Sequence, residues 1–563
     1  VKVDGSKVRI ALIAVIIGVL LGAYIGYALT PTTTFTISPG VYPGAPDYTI
    51  WREGSNYFAK NANGEIKFSG TNASQVLQLV LDELDSGGVV FFRSGVYQFE
   101  QTIFLPSSVT LDGEGENSVL KLTSLPTKIG GGWGGYTLLT NKNYETGGDV
   151  DITIKNLHFI IDPDLIGIGG YERTVFVGLF MGASNITVQN CVLEYSSFYF
   201  EPSYNYLDSM TENFDDEFCE TDARNIRFIN NNVFNGVEGC WLHLVDGAWL
   251  ENNWIETTLD SSFGLHWGGR NYHITGNVIL RLKGDYWTPN NVAGAAIEVT
   301  SAKNSYPTAF WQENHIISGN IIRSVNTGYR GEIAFNGYKF RNIRIIGNYI
   351  ERVYNSTLTS GSYNSGIHIQ GQNIIVKNNN INLSSHGLYG IHVWTNNEIN
   401  CTNIVISGNT IHGATAAGIY VHNEQSAVYM DDILITTNII TGTSDGGYSV
   451  RTYANNGASY LTNVRVENNY LDCDVNILAG TTIVKHNSGF VTENSGTATI
   501  FSGTTSVHVS HGLADIPTLV IVTPSADIGD VWVDTLTSTE FTIHCSSAPS
   551  SDTTVYWYAE YKP

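Results

Sequence analysis

Apolar and polar residues alternate in short bursts along most of this chain, and the bursts recur. Between residues 151 and 471 one phrase occurs eleven times: a polar residue, three or four alternating positions, then usually an asparagine. Clear copies are Asn342-Ile-Arg-Ile-Ile-Gly-Asn348, Asn373-Ile-Ile-Val-Lys-Asn-Asn379 and Asn403-Ile-Val-Ile-Ser-Gly-Asn409. The others start at Asp151, Asn185, Asn225, Gly247, Asn271, Asn314, Asp432 and Asn463. Ile-x-Ile alternation has the period of a strand and not of a helix. The starts lie 22 to 43 residues apart and settle to 28 to 31 after Asn314. Strands this short cannot bury their own faces, so a regular recurrence predicts a solenoid. Parallel strands so connected wind into a right-handed parallel β-helix with coils stacked ~4.8 Å apart. Asparagine fills the seventh position in nine of the eleven copies. Stacking puts those amides in register for a hydrogen-bonded ladder across a tight turn.

A second alternating segment precedes the phrase in most coils. It reads Gly366-Ile-His-Ile-Gln370, Gly390-Ile-His-Val-Trp394 and Gly418-Ile-Tyr-Val-His422. Weaker copies are Trp241-Leu-His-Leu-Val245, Gly264-Leu-His-Trp-Gly268, Ala296-Ile-Glu-Val-Thr300 and Glu332-Ile-Ala-Phe-Asn336. Period two turns the Ile and Val inward and the alternate residues outward. Stacking then predicts one outward row of His243, His266, Glu298, Ala334, His368, His392 and Tyr420. Beside it runs a row of Val245, Gly268, Thr300, Asn336, Gln370, Trp394 and His422. Polar and aromatic side chains at regular spacing suit a polymer such as a glycan, whose rings stack on aromatics and whose hydroxyls need hydrogen-bond partners. His243, His266 and Glu298 are candidates for catalytic proton transfer, because histidine serves as acid or base near neutral pH. His368, His392, Trp394, Tyr420 and His422 are candidates for substrate binding. A solvated sheet face that merely tolerates histidine is the plainer alternative.

Composition narrows the partners. Only 14% of the 563 residues are charged, and the net charge is −23. That balance argues against nucleic acid and an anionic membrane surface. It also argues against a strongly acidic polysaccharide unless calcium bridges the two. The start of the chain differs from the rest. Lys2, Lys7 and Arg9 precede residues 10–29, an uncharged and largely apolar run long enough to span a bilayer and leave the remainder outside. A cleaved signal peptide, with Gly26 and Ala28 as a small-x-small site, is the rival. Ala14, Gly18, Gly22 and Gly26 fall on one face of that helix, a stripe suited to self-association. Five glycosylation sequons, at Asn72, Asn185, Asn355, Asn382 and Asn400, are compatible with an outside location. The six cysteines are dispersed and read as buried single thiols rather than a disulfide framework or a metal site.

The remaining segments organise around the solenoid. Residues 31–70 divide into a Thr/Pro-rich linker and, from residue 48, a small β-segment. Residues 73–84 carry Val76, Leu77, Val80, Leu81 and Leu84, the period of an amphipathic helix that caps the open first coil. The β-helix with this cap spans residues 71–490. Short strands with Gly, Pro and Ser turns in residues 495–563 predict a separate β-sandwich, which caps the last coil, associates with other copies or binds a ligand. The expected class is therefore all-β: a parallel β-helix solenoid with an N-terminal capping helix, an N-terminal transmembrane helix and a C-terminal β-sandwich.

Residues 72–122, with their helix, Gly87-Gly-Val-Val-Phe-Phe92, Ser94-Gly-Val-Tyr97 and Leu111-Asp-Gly-Glu-Gly115, resemble the leading segment of the pectate-lyase-like superfamily. With the repeats, the likeness covers residues 48–490. The 48–70 segment further resembles β-helix proteins of archaeal surfaces and viruses. The superfamily includes lyases, hydrolases, epimerases and tailspikes, so the resemblance implies the fold and leaves the reaction open. Phe214-Asp-Asp-Glu-Phe218 ahead of the phrase at Asn225 resembles the Asp-Asp element of polygalacturonases. That likeness implies an acid and a base at Asp215 and Asp216. The rest of that family's pattern is missing: Glu238-Gly239-Cys240 stands where its histidine belongs, and His266 where its arginine belongs. Asp215, Asp216 and Glu217 are alternatively a calcium site or a solvated acidic turn. Long insertions at 198–206 and 283–311, rich in tyrosine and tryptophan, either wall a glycan groove or cover the coils. Two functional classes follow. One is a surface-anchored protein that recognises, and if an enzyme cleaves, a polysaccharide by hydrolysis or elimination. The other is a non-catalytic filament or sheath subunit, adhesin or tailspike-like receptor binder.

Overall fold

The computed structural model describes residues 45–563 apart from 130–134, 167–174, 206–220, 237, 258–260, 282–293, 302–309, 325–330, 353–363, 396–399, 426–427, 456–459 and 479. The expected membrane span at 10–29, with its Gly18/Gly22/Gly26 face, lies outside the described residues, as do Asp215, Asp216 and Glu217. Among the described residues no helix is long and apolar enough to cross a membrane.

Each coil contributes strands to three stacks of parallel sheet. One stack holds the asparagine phrases: Arg224–Ile229 pairs with the second half of Cys240–Glu251, which pairs with Phe263–Thr275, and the series runs on through Phe340–Ile346, Gln372–Lys377 and Cys401–Ser407. The phrase folds as it does because both of its ends are left-handed. All eleven first positions have positive φ, +51° to +62° at Asn or Asp and +81° at Gly247. All eleven sixth positions have φ between +54° and +67°. Asparagine, aspartate and glycine tolerate that region best, so they bracket a strand whose chain turns sharply at either end, with Thr437 the one exception.

The seventh-position asparagines form the expected ladder. Asn348 Oδ1 accepts from the Asn320 backbone N–H at 3.0 Å and from its Nδ2 at 2.9 Å. Asn348 Nδ2 in turn donates to Ile317 O at 3.0 Å and to Asn379 Oδ1 at 2.9 Å. The same pattern runs from Asn253 through Asn277 and on to Asn487. These amides are buried, and the turn they occupy would otherwise leave backbone groups unpaired. A second, exposed ladder joins the first-position amides, for example Asn373 to Asn342 at 3.1 Å and Asn403 to Asn373 at 2.8 Å.

Inside the coils, Ile343, Ile374, Ile404 and Ile433 stack in register as a dry column. One coil breaks it: His315 faces inward, lies flat on Tyr272 with centroids 4.5 Å apart, and reaches Gln312 Oε1 at 2.9 Å. At a corner of the coils, Glu332 sits between two buried guanidiniums, 2.8 Å from Arg352 Nε and 3.6 Å from Arg281 Nη1. Such a carboxylate is costly to remove, because it leaves uncompensated charge inside.

Both ends of the solenoid are covered. The helix Ala73–Glu83 starts at Asn72, whose side chain accepts from Gln75 N, and it buries Val76, Leu77, Val80 and Leu81 against the first coils. Ahead of it, Tyr48–Glu53, Asn56–Asn61 and Ile66–Gly70 form an antiparallel trio, and Tyr48–Glu53 joins the parallel stack through Gly88–Phe92. At the far end, Glu493–Ile500, Thr553–Glu560 and Leu519–Pro524 make one antiparallel sheet. Ser506–Ser510, Glu540–Cys545 and Val531–Asp534 make another. Ile500, Phe541, Ile543, Val555 and Trp557 fill the core between the two sheets. Tyr561 packs on this core and against Phe490 of the last coil. Cys191, Cys240, Cys401 and Cys545 are free and buried, and Cys473 is free and half-buried.

Candidate functional site

The candidate residues stand on the sheet stack that precedes the phrase, as expected, but their rows are not the ones the repeats suggest. Leu265 pairs with Val299, which sets Glu298 beside Gly264 and not beside His266. His243 pairs with His266, and the Thr300, Asn336 pair carries their row onward. Trp241, Gly264, Glu298, Ala334, His368, His392 and Tyr420 make up the neighbouring row. The slip is two residues. It preserves which side chains face in and which face out, so alternation alone does not reveal it. A second correction concerns Val245. Leu244 and Trp267 adopt φ of +49° and +68°, the strand kinks there, and Val245 turns into the core opposite Gly269.

Facing outward does not mean facing water here. His243, Glu298, His368, His392, Trp394 and Tyr420 are all buried, and only His266 and His422 are half-exposed. The reason is spacing: rings on adjacent coils lie close enough to cover each other's faces. His392 and Tyr420 stack with centroids 5.1 Å apart and planes 6° from parallel, and the Arg451 guanidinium lies over Tyr420 at 5.2 Å. The Nδ1 atoms of His368 and His392 are 3.2 Å apart, so one imidazole donates and the other accepts. Burial holds the His368 pKa down to about 3. Trp394 Nε1 donates to Glu424 at 3.0 Å, and His422 stacks on Tyr420 at 4.9 Å. This stretch is a packed pillar and not an open row of sugar contacts.

The other half of the stack holds a different arrangement. Phe198–Glu201, expected as part of an insertion, is a regular strand of the stack, with Tyr199 opposite Trp241. Phe198 and Phe200 enter the core, while Tyr199 and Glu201 face the histidines. The Tyr199 hydroxyl lies 2.5 Å from His243 Nδ1 and 3.0 Å from Nε2. Glu201 Oε2 lies 3.8 Å from His243 Nδ1. Glu201 and His243 are each 2% exposed, and burial acts on them in opposite directions. It raises the Glu201 carboxyl to about 8, a shift only partly offset by a hydrogen bond with Tyr199. It drives His243 well below its ordinary value, helped by the neighbouring His266. At neutral pH the contact therefore joins two uncharged groups and is not an ion pair.

Rings enclose this group. Trp267 stacks on His243 at 4.5 Å, and Trp241 lies 4.4 Å from His266. The Trp241 indole occupies the space over Gly264, where any side chain would strike it. Two polar atoms in the cluster, Glu201 Oε2 and Trp241 Nε1, are buried without a hydrogen-bond partner, a state that native interiors rarely leave unexplained. Glu298 is buried one coil further and accepts from Ser261 Oγ at 2.5 Å. The structure thus brings His243 and His266 together and adds Tyr199, Glu201 and Trp241, which the repeats did not single out. The signal was present in Phe198-Tyr-Phe-Glu201, which alternates in step with Trp241-Leu-His243. Among the described residues no group of three or more His, Cys, Asp or Glu is placed to hold a metal ion.

Several distant solved structures resemble the chain. The tailspike gp61 of Pseudomonas phage phi297 is 12% identical, covering 87% of this chain and 92% of its own, with a TM-score of 0.48. The A-module of the Azotobacter vinelandii mannuronan C-5 epimerase AlgE4 is 13% identical, covering 74% and 95%, with a TM-score of 0.38. PfbA, a surface adhesin of Streptococcus pneumoniae, is 14% identical, covering 68% and 90%, with a TM-score of 0.42. Likenesses this distant carry no functional inference. No curated protein matches the sequence. Residues 69–286 match the family model described as rhamnogalacturonase A/epimerase, pectate lyase-like, a stretch that runs from the capping helix through Glu201, His243 and His266. The parallel coils make the described chain a parallel β-helix, and over residues 69–286 that β-helix resembles the pectate-lyase-like family.

Proposed function

We propose that this is a surface-displayed or secreted β-helix protein that binds a polysaccharide and cleaves it at the Tyr199–Glu201–His243 cluster. One arrangement carries the reading: the Glu201 carboxyl is buried beside Tyr199 and His243, and burial raises its pKa to about 8 while lowering that of the histidine. A protonated carboxyl is the group a glycosidic oxygen needs as its bond breaks. Tyr199 links Glu201 to His243, so the proton has a relay for its return. Trp241 and His266 are the half-exposed members of the cluster and offer ring faces to a sugar. The family description over residues 69–286 names glycan-processing proteins, which agrees with this chemistry.

A non-catalytic receptor-binding or structural role is the second reading. The closed packing of His368, His392 and Tyr420 favours it, because those residues serve the interior of a pillar. Display through residues 10–29, and self-association through the Gly18/Gly22/Gly26 face or the C-terminal module, fit either reading.

The test is incubation of the chain from residue 31 onward with a polysaccharide panel, with and without calcium. New reducing ends and absorbance from unsaturated products are both followed. Reducing ends without unsaturation, lost in Glu201→Gln, support acid-assisted hydrolysis. Unsaturated products point instead to elimination with His243 or Tyr199 as base. Calcium-dependent activity lost in Asp216→Ala moves the centre to the acidic segment at 215–217. Silence across the panel leaves the non-catalytic reading.

A further inference from the structure

The C-terminal module holds a constellation that the β-helix site does not use. Trp532 lies on Val531–Asp534, the edge strand of its sheet. No other tryptophan among the described residues is as exposed as Trp532, at 46%. One face of its indole is covered: the His544 ring on the adjacent strand stacks on it with centroids 5.4 Å apart and planes 10° from parallel. Val531–Asp534 has no further strand of that sheet beyond it, and 46% of Trp532 stays exposed. Two residues along the same strand, and so on the same face, Asp534 Oδ1 receives both His544 Nε2 and Thr535 Oγ1 at 2.9 Å. Both bonds fall on Oδ1, and the Asp534 side chain is 52% exposed.

We propose that the C-terminal module carries a separate sugar-binding site, in which a neutral sugar ring stacks on the open face of Trp532 and hydrogen-bonds to the Asp534 carboxylate. The chemistry selects this occupant. A flat, half-covered indole takes a ligand with an apolar face, and a fixed carboxylate oxygen takes hydroxyl donors. Charge disfavours the main rival: Asp534, held below the usual carboxylate range by the Thr535 and His544 bonds, repels uronates, sulfates and phosphates. A large ring left in water costs free energy that contact with a ligand recovers. The inference does not rest on Glu201 and stands even if the β-helix is not an enzyme.

Affinity electrophoresis of the chain from residue 31 onward through immobilised glucan, galactan, mannan and N-acetylglucosamine polymers, with polygalacturonate as the anionic control, tests it. At least one neutral polymer is expected to retard the protein. Trp532→Ala is expected to weaken that retardation by about tenfold, the size of one lost stacking contact. Trp532→Tyr preserves most of it, Asp534→Asn weakens it, and Tyr556→Ala on the opposite sheet leaves it unchanged. Thermal melting of each variant shows whether the module is still folded. The proposal fails if no neutral polymer binds, if polygalacturonate binds equally well, or if Trp532→Ala migrates as the parent does. It also fails if Trp532→Ala changes the oligomeric state on size exclusion, which would make a second copy the occupant.

Discussion

The Trp241 indole rests on the α-carbon of Gly264, one coil along, where a methyl group would come 2.7 Å from Nε1. Gly264→Ala must push the indole away from His266 or spread the coils. A loss of about 1–3 kcal/mol is expected for such overpacking, read as a lower melting temperature. A Gly264→Ala protein that melts with the parent would show that the Trp241 position is not fixed by this contact.

The two ladders are expected to differ sharply in worth. Asn348→Ala strips the partner from the Asn320 backbone N–H, the Asn320 amide and the Ile317 carbonyl. At about 1–3 kcal/mol for each stranded buried group, destabilisation should reach about 3 kcal/mol or more. Asn342 is exposed, and its φ of +58° is its main demand. Asn342→Ala should cost about 1–2 kcal/mol, and Asn342→Gly less. Calorimetric melting of the three variants ranks them.

Buried histidines make the fold sensitive to acid. Burial lowers His315 and His368 to about 3, while in the unfolded chain they titrate near ~6.5. Their contribution is therefore complete above that pH and is lost as pH falls toward 3, because only the unfolded chain takes up the protons. Melting temperature should fall steadily from pH 6.5 to 4. The fall should be shallower in His368→Gln, and parallel curves for the two proteins would rule out this source.

Glu201 acts with the opposite sign. Its folded value of about 8 lies above that of the unfolded chain, so the folded state holds a proton that the unfolded state releases. Stability is lost as pH rises from the ordinary carboxyl range through 8, and it levels beyond. Glu201→Gln should remove that slope, so the gap between the two melting curves grows up to pH 8 and then stays constant. Hydrolysis by the parent protein, where present, should decline over the same upper limb.

Much of the architecture was legible because strand period, turn residues and the asparagine position all point the same way. The capping helix at Ala73–Glu83 was equally plain from Val76, Leu77, Val80 and Leu81. The site was less so. Alternation reports the face of a residue and not its coil partner, so Glu298 was placed one row from its true neighbour Gly264. Nor does it report cover: His368 and His392 face outward and are buried by rings from adjacent coils. Phe198-Tyr-Phe-Glu201 read as an insertion because aromatic residues crowd it, although its period was that of the stack. The double left-handed bracket was visible as Asn, Asp or Gly at positions one and six of every phrase but the one carrying Thr437, and only backbone angles gave it meaning.

The buried amide ladder separates where a coil sits from how long it is. Each rung fixes one turn against the next through bonds that involve no other part of the circuit, and between rungs the chain is free to take a short path or a long one. From Asn225 to Gly247 the next phrase arrives after 22 residues, and from Asn271 to Asn314 after 43, yet Asn231, Asn253, Asn277 and Asn320 remain in one unbroken line. Excursions of any size can thus be gained, trimmed or exchanged on the flanks without altering the frame. A protein built this way can acquire a new specificity while its spine stays the same.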